Sequence, residues 1–288
     1  MEKINIRKIK YSSIKDYLIE QKIELDNTAI AYFDQEINTI FLNEKIIGFS
    51  FLDFNYIHPY SHYLNIYISP EYRRRGFGTT LFNQLILETS LDRLQCGIEN
   101  DNLEVKLFLE KIGFILIKTT CLPIVTISDI KPLVGNNHKI KFSKFKWNKI
   151  LEKDFYNFYY NLHLNNPIGS SVTTKYLKYY LSCYSKKYSY QAKINDQISY
   201  IICFEHDDEL EVGYFRANLE SQETKDISFS FILAFLDQVH DKFNKLSFEV
   251  DDNDENGLFL LKALNVVFKN DYLTYQLKVP YKFKSLVS

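Results

Sequence analysis

Residues 63–87 read YLNIYISPEYRRRGFGTTLFNQLIL, and this stretch constrains the fold more than any other. Residues 63–68 alternate and are rich in aromatic and β-branched side chains, the pattern of a strand. Pro70 ends it. Arg73, Arg74 and Arg75 then stand directly before Gly76-Phe77-Gly78, two glycines two apart. From Thr79 onward, Thr80, Leu81, Leu85 and Ile86 recur at helical spacing. Strand, basic glycine turn and helix start, in that order, make an anion site. The glycines let backbone approach closely, and the first-turn N–H groups point outward. The guanidinium groups add charge-assisted bonds to phosphate oxygens. A solvated basic loop is the competing reading of the same residues.

At 288 residues the chain is long enough for one large domain or two ordinary ones. An apolar fraction of 46% and an aromatic fraction of 16% supply substantial cores. The formal charge is −1, from 35 basic and 36 acidic residues, which argues against an extended nucleic-acid face. Cys96, Cys121, Cys183 and Cys203 are widely spaced with no CxxC, the usage of a reduced compartment. The start MEKINIRKIK lacks the apolar stretch of an export signal, and no apolar run reaches membrane-spanning length. A cytoplasmic protein without membrane or nucleic-acid partners is expected.

Along the chain, 4–9 alternates as a first strand. Ser12 or Ser13 is expected to cap a helix carrying Ile14, Tyr17, Leu18 and Ile23. Residues 26–34 allow a second short helix. Two apolar runs, 39–42 and 46–54, flank Asn43-Glu44-Lys45 as a hairpin. After the glycine helix come a strand at 94–98, a polar stretch from Glu99 to Asn102, a helix on Val105, Phe108, Leu109 and Ile112, a stop at Gly113, and a strand at 114–117. Residues 121–138, with Pro123 and Pro132, read as a crossover. The order then begins again: strand 140–145, helices 149–162 and 173–184, strands 188–194, 198–204 and 210–215, a helix at 224–243, a strand at 246–250, a helix at 258–264 and a final strand at 266–277. At an offset of 152 positions Asn43-Glu44 falls on Asn195-Asp196, and 98–115 falls on 250–267. The pattern is that of an internal duplication.

Arg73-x-x-Gly76-x-Gly78, behind a strand that ends in Pro70-Glu71-Tyr72, resembles the acetyl-coenzyme A signature of the GCN5-related N-acetyltransferases (GNAT). Asn102 before a helix that closes on Gly113-Phe114 extends the resemblance. It implies two tandem α/β domains of acyl-CoA N-acyltransferase type, 1–130 and 131–288, each a mixed twisted sheet flanked by helices. It further implies acetyl-CoA as cosubstrate. The positions it assigns to the cosubstrate are Ile66, Ile68, Arg73, Arg74, Arg75, Gly76, Phe77, Gly78, Thr79 and Asn102, with the 66–68 backbone along the pantetheine arm. One position departs: Leu109 stands where the family often has a proton-donating tyrosine. The second half reads FRANLESQETKDISFS where the glycine turn would recur, and Asn265 stands in the place of Gly113. It therefore resembles the degenerate half of a tandem acetyltransferase.

Amine acetylation needs a neutral amine, a polarised thioester and close contact between them. His62, with a pKa near neutrality, is the expected base; Glu99 and Tyr67 are the other candidate proton carriers. The acceptor is a small amine, an antibiotic-like amine or a peptide N-terminus. A non-catalytic acyl-CoA sensor or scaffold is the alternative, motivated by Leu109, and transfer of a longer acyl group is a third reading. No metal is expected. His58, His163, His206 and His240 lack ligand spacing, and Asp251-Asp252-Asn253-Asp254-Glu255 lacks the glycine of a calcium loop and reads as solvated. Cys96, inside a strand, reads as buried rather than nucleophilic.

Overall fold

The structure, a computed structural model, describes residues 3–23, 35–54, 58–89, 92–131, 139–164, 175, 178–179 and 181–279. The chain divides into two compact units. One comprises Met1–Cys96, Leu107–Ile115 and Tyr275–Ser288; the other comprises Gly97–Lys106 and Leu116–Thr274. Both are α/β structures, each a mixed twisted sheet flanked by helices. Among the described residues no helix is long and apolar enough to cross a membrane, and all four cysteines are free.

In the first unit β1 (Ile4–Lys10), β2 (Glu36–Leu42), β3 (Lys45–Phe54) and β4 (His62–Ile68) form an antiparallel run, and β5 (Arg93–Glu99) joins β4 in parallel. Strand alternation sends side chains to two faces. Helix α1 (Lys15–Glu20) covers one, burying Tyr17 and Leu18 against Ile37 and Phe49. Helix α2 (Phe77–Glu88) covers the other, with Phe77 and Leu81 on Ile40, Ile47 and Ile68. Leu81 and Ile40 are fully buried, each worth about 1.5–3 kcal/mol of transfer free energy. Helix α3 (Leu103–Lys111) stops at Gly113, whose φ of +92° is the left-handed conformation a glycine takes at a helix end.

In the second unit β6 (Ile115–Cys121) is followed by β7 (Ile124–Thr126), β8 (Phe142–Lys144), helix α4 (Lys149–Leu162), β9 (Tyr190–Ile194), β10 (Gln197–His206), β11 (Glu209–Arg216), helix α5 (Gln222–Val239), β12 (Lys245–Phe248), β13 (Val250–Asp251) and helix α6 (Glu255–Ala263). The six-stranded sheet runs β7-β12-β11-β10-β9-β8, and β6 pairs antiparallel with β13. Phe231 and Phe235 of α5 are fully buried in its core with Ile201, Leu210 and Leu246. The last strand, β14 (Tyr272–Lys278), follows β5 in strand order.

The duplication has a backbone signature. Asn43 and Glu44 turn the β2–β3 hairpin with φ of +48° and +67°; Asn195 and Asp196 turn β9–β10 with +44° and +64°. Two successive positive φ values are what a two-residue hairpin loop requires. Asn265 also sits at +54°, in the place of Gly113. In each unit a parallel strand pair follows the hairpin, β4–β5 and β11–β12.

Several expectations are corrected. Helix α2 begins at Phe77, because left-handed Gly76 caps it two residues earlier than the apolar period suggests. Ser12 and Ser13 lie inside a 3-10 turn, Tyr11–Ile14, and α1 has no side-chain cap. The 121–138 crossover contains β7, paired with β12. Helix α5 ends at Val239, and the final strand starts only at Tyr272. The expected helix at 26–34 and most of the one at 173–184 lie outside the described residues.

The 251–255 segment is not simply solvated. Asp251 meets the Lys118 ammonium at 3.0 Å and accepts from the Thr120 hydroxyl at 2.7 Å. Asp254 caps α6 by accepting from Asn256 N at 3.1 Å and Gly257 N at 2.9 Å. Burial pushes the Asp254 carboxyl up to about 6; the two amide bonds pull the other way. Its folded pKa is above the unfolded value, so the native state binds the extra proton between the two. The group's contribution to stability is therefore full below the unfolded pKa and is lost as pH rises through about 6. The expected result is that the melting temperature of the unaltered chain, relative to Asp254→Asn, is higher at pH 5 than at pH 7. Thermal melts of both chains at the two pH values check it.

Candidate functional site

Strand β4 is the first component. It pairs with β3 along its whole length, from Gly48↔Ile68 to Phe54↔His62, but with β5 only at His62↔Leu94 and Tyr63↔Gln95. Beyond Tyr63 the two parallel strands part. Ser69 N donates to Ile47 O at 2.9 Å, which fixes the phase of the antiparallel ladder. By alternation, the backbone groups of Tyr63, Asn65 and Tyr67 face β3, and those of Leu64, Ile66 and Ile68 face the side β5 has left. The Ile68 carbonyl is already occupied, accepting from Arg73 Nε at 3.0 Å. Ile66 N–H and C=O and Ile68 N–H thus lie on an open edge. The Tyr67 backbone is taken up by β3, and its side chain lies on the α1 face.

The turn is the second component. A 3-10 turn, Pro70–Tyr72, leads to Arg74 at φ +60° and Gly76 at φ +87°. Helix α2 starts immediately after, with Thr80 N bonded to Gly76 O at 3.0 Å. No side chain caps this helix. Every other described helix of nine residues or more has one: Asn102 for α3, Asn148 for α4, the Ser221–Thr224 capping box for α5 and Asp254 for α6. The first-turn amides of α2 therefore remain available, and a helix N-terminus in that state attracts anions. No atom lies within 4 Å of where a Gly76 Cβ would sit. A Cβ on Gly78 would touch the Phe108 ring at 3.4 Å, an ordinary contact, so the protein's own packing does not demand glycine there.

The three arginines are exposed around this opening. Arg73 is tied back to β4. The Arg75 guanidinium lies 5.3 Å from the Phe77 ring centroid and 5.8 Å from that of Tyr72, which holds the loop by cation–π contact.

The candidate proton carriers occupy different places. His62 is half-buried beside Phe54, ring centroids 5.4 Å apart. Burial lowers its pKa, and the Asp53 carboxylate pulls it back up. Its Nδ1 has no hydrogen-bond partner among the described residues. By alternation His62 shares the α2 face with Ile66 and Ile68. Tyr67 lies on the α1 face, stacked on Phe49 at 5.7 Å and donating to Gln21 Oε1 at 3.2 Å. Burial raises its pKa. Glu99 is exposed at the end of β5, its carbonyl accepting from Asn102 N at 3.1 Å. Asn102 Oδ1 accepts from Val105 N at 3.2 Å, so its side chain caps α3. Leu109 is 1% exposed. Burial pushes the Cys96 thiol up to about 11, which removes it as a nucleophile at neutral pH.

Two features had no sequence signal of their own. Tyr17 Oη and Ser69 Oγ lie 2.6 Å apart, and burial pushes the Tyr17 hydroxyl up to about 12. Gln95, at the last paired position before the strands part, is fully buried, and neither of its amide atoms has a partner among the described residues.

Residues 7–114 match the family model described as the acetyltransferase (GNAT) family. That segment contains β4, the arginine turn and α2, and it is similar to this family over those residues. No curated protein matches the sequence. Among solved structures the chain is similar to a GCN5-related N-acetyltransferase from Sphaerobacter thermophilus, with 12% identity, 96% of each chain covered and a TM-score of 0.58. It is similar also to a conserved protein of unknown function, a probable N-acyltransferase, from Enterococcus faecalis: 12% identity, 98% of this chain and 74% of that one, TM-score 0.52. At such identities the likeness is one of fold, and it runs over both units.

Proposed function

We propose that the chain is an N-acetyltransferase that takes its acetyl group from acetyl-CoA at the first unit and delivers it to a primary amine on a small molecule or peptide. One observation carries this reading: an uncapped helix N-terminus behind a left-handed glycine and three arginines, joined to a strand edge whose pairing has lapsed. The amides of Phe77, Gly78 and Thr79, with Arg74 and Arg75, would hold the pyrophosphate. The open Ile66 and Ile68 backbone would pair with the amide groups of the pantetheine arm, as a missing strand would. Glycine at 78, unneeded for packing, would let the phosphates approach.

Bound acetyl-CoA supplies an acyl carbon activated as a thioester, with a thiolate as leaving group. His62 is the proton acceptor for the amine: its lowered pKa keeps the imidazole neutral at pH 7. Tyr67 keeps its proton at that pH and is the donor candidate. Glu99, exposed, is the remaining candidate for drawing in a cationic amine. We infer that the second unit has lost donor binding, because its corresponding helix, α5, is closed by the Ser221–Thr224 capping box.

Buried Leu109, in place of a proton-donating tyrosine, favours the second reading, an acyl-CoA-binding protein without turnover. A thiol-release assay over a panel of primary amines and peptides separates the two. Amine-dependent release of coenzyme A is expected, with kcat lowered about 100-fold in His62→Gln and little change in acetyl-CoA affinity. Tight acetyl-CoA binding with no release for any amine would leave the binding-protein reading standing.

A further inference from the structure

In the second unit a cleft of about 790 Å³ opens between the segment after β8, helix α4 and the residues around 178–186. Its size lies in the range of small-molecule sites. Four lysines line it, Lys144, Lys146, Lys178 and Lys186, against one carboxylate, Glu152. Glu152 pairs with Lys178 at 3.4 Å. Among the described residues Lys146 and Lys186 have no ion-pair partner. Lys144 is fixed in place, donating to the Lys187 carbonyl and the Tyr190 hydroxyl, its ammonium 3.8 Å from the Tyr190 ring centroid. The whole chain carries a formal charge of only −1, so this local excess of cations does not follow from general basicity. Like charges gathered round a concavity repel one another until a counter-charge enters it.

The wall between the lysines is aromatic. Trp147 and Tyr184 are half-buried on either side of buried Phe145, each with its ring centroid 5.5 Å from that of Phe145. Phe155 backs Trp147 at 5.7 Å. The Phe145 ring stands at 56° to Trp147 and at 86° to Tyr184, so these rings present separate faces, and Trp147, braced from behind, offers one of them for stacking. The start of α4 adds no anion-binding amides, since Asn148 Oδ1 already accepts from Ile150 N and Leu151 N. Charge recognition falls to the lysines alone.

We propose that this cleft binds a small phosphorylated compound bearing a planar ring, of the nucleotide class, with the ring stacked on Trp147 and the phosphates among Lys144, Lys146 and Lys186. The site is independent of the donor site of the first unit and stands whether or not that site binds acetyl-CoA. Trp147 is the only tryptophan in the chain, so its fluorescence reports this cleft and no other. Titration of the full chain with ADP, excited beyond the adenine band, is expected to give a saturable change in that fluorescence. The double substitution Lys146→Glu/Lys186→Glu, at two exposed side chains, is expected to weaken it by about tenfold or more, and pyrophosphate is expected to compete. The proposal is overturned by no saturable change up to about 1 mM ADP, by a change that survives the double substitution, or by adenosine binding as tightly as ADP.

Discussion

Gly76→Val is expected to abolish acetyl-CoA binding while leaving the chain folded. Gly76 sits at φ +87°, a left-handed conformation that costs an L-residue about 1–2 kcal/mol and is worse tolerated by a β-branched one. The space around its missing Cβ is empty, so valine meets no steric clash; it meets only backbone strain. Relief of that strain turns residue 76 out of the left-handed region, and the first turn of α2 loses its present aim. Phe77, Leu81 and Leu85 are buried along the helix and hold it on the sheet independently of its first-turn amides. Calorimetric titration with acetyl-CoA, beside a thermal melt, separates the two effects. Binding is expected to vanish with a small change in melting temperature. Unchanged affinity would remove the pyrophosphate from this turn.

Gly48→Ala is expected to damage both fold and site. Gly48 lies opposite Ile68 in the β3–β4 ladder. An added Cβ would stand 2.6 Å from Ile68 Cδ1 and closer still to the Tyr67 carbonyl oxygen, which is backbone and cannot swing aside. The strands must separate, at a cost of about 1–3 kcal/mol for overpacking of this kind. The displaced strand is the one whose open edge would receive the pantetheine. A lower melting temperature with weakened acetyl-CoA binding is therefore expected, measured by the same melts and titrations. A melting temperature equal to that of the unaltered chain would show that β3 yields without moving β4.

What could be read in the sequence was local. The glycine turn, the hairpin at Asn43-Glu44, its repeat at Asn195-Asp196 and the stop at Gly113 all rest on backbone conformations that only certain residues adopt readily, so they leave a mark at fixed spacing. The apolar periods located most elements for the same reason. What escaped was set by contacts between distant positions. Arg73 reads as one of three phosphate ligands, yet its Nε is bonded to the Ile68 carbonyl. His62 and Tyr67 stand five residues apart, and strand alternation sends them to opposite faces. Tyr17 meets Ser69 across 52 positions, with no periodicity to announce it. The lysine cleft gathers residues from 144–152 and 178–186 that look like ordinary solvated charge until the chain folds. Asp254 looked solvated because a run of acidic residues gives no sign of which one will cap a helix.

In the proposed binding mode acetyl-CoA would lie along the open edge of β4 with its pyrophosphate at the start of α2. Amide hydrogen exchange with and without acetyl-CoA tests it most directly, because the groups assigned to the ligand are themselves backbone N–H groups. The predicted result is slowed exchange at Ile66, Ile68 and Phe77 to Thr79, with no change at Gln222 to Thr224 at the start of α5. Slowed exchange at the α5 start instead, or none in β4 and α2 at saturating acetyl-CoA, would rule out this binding mode.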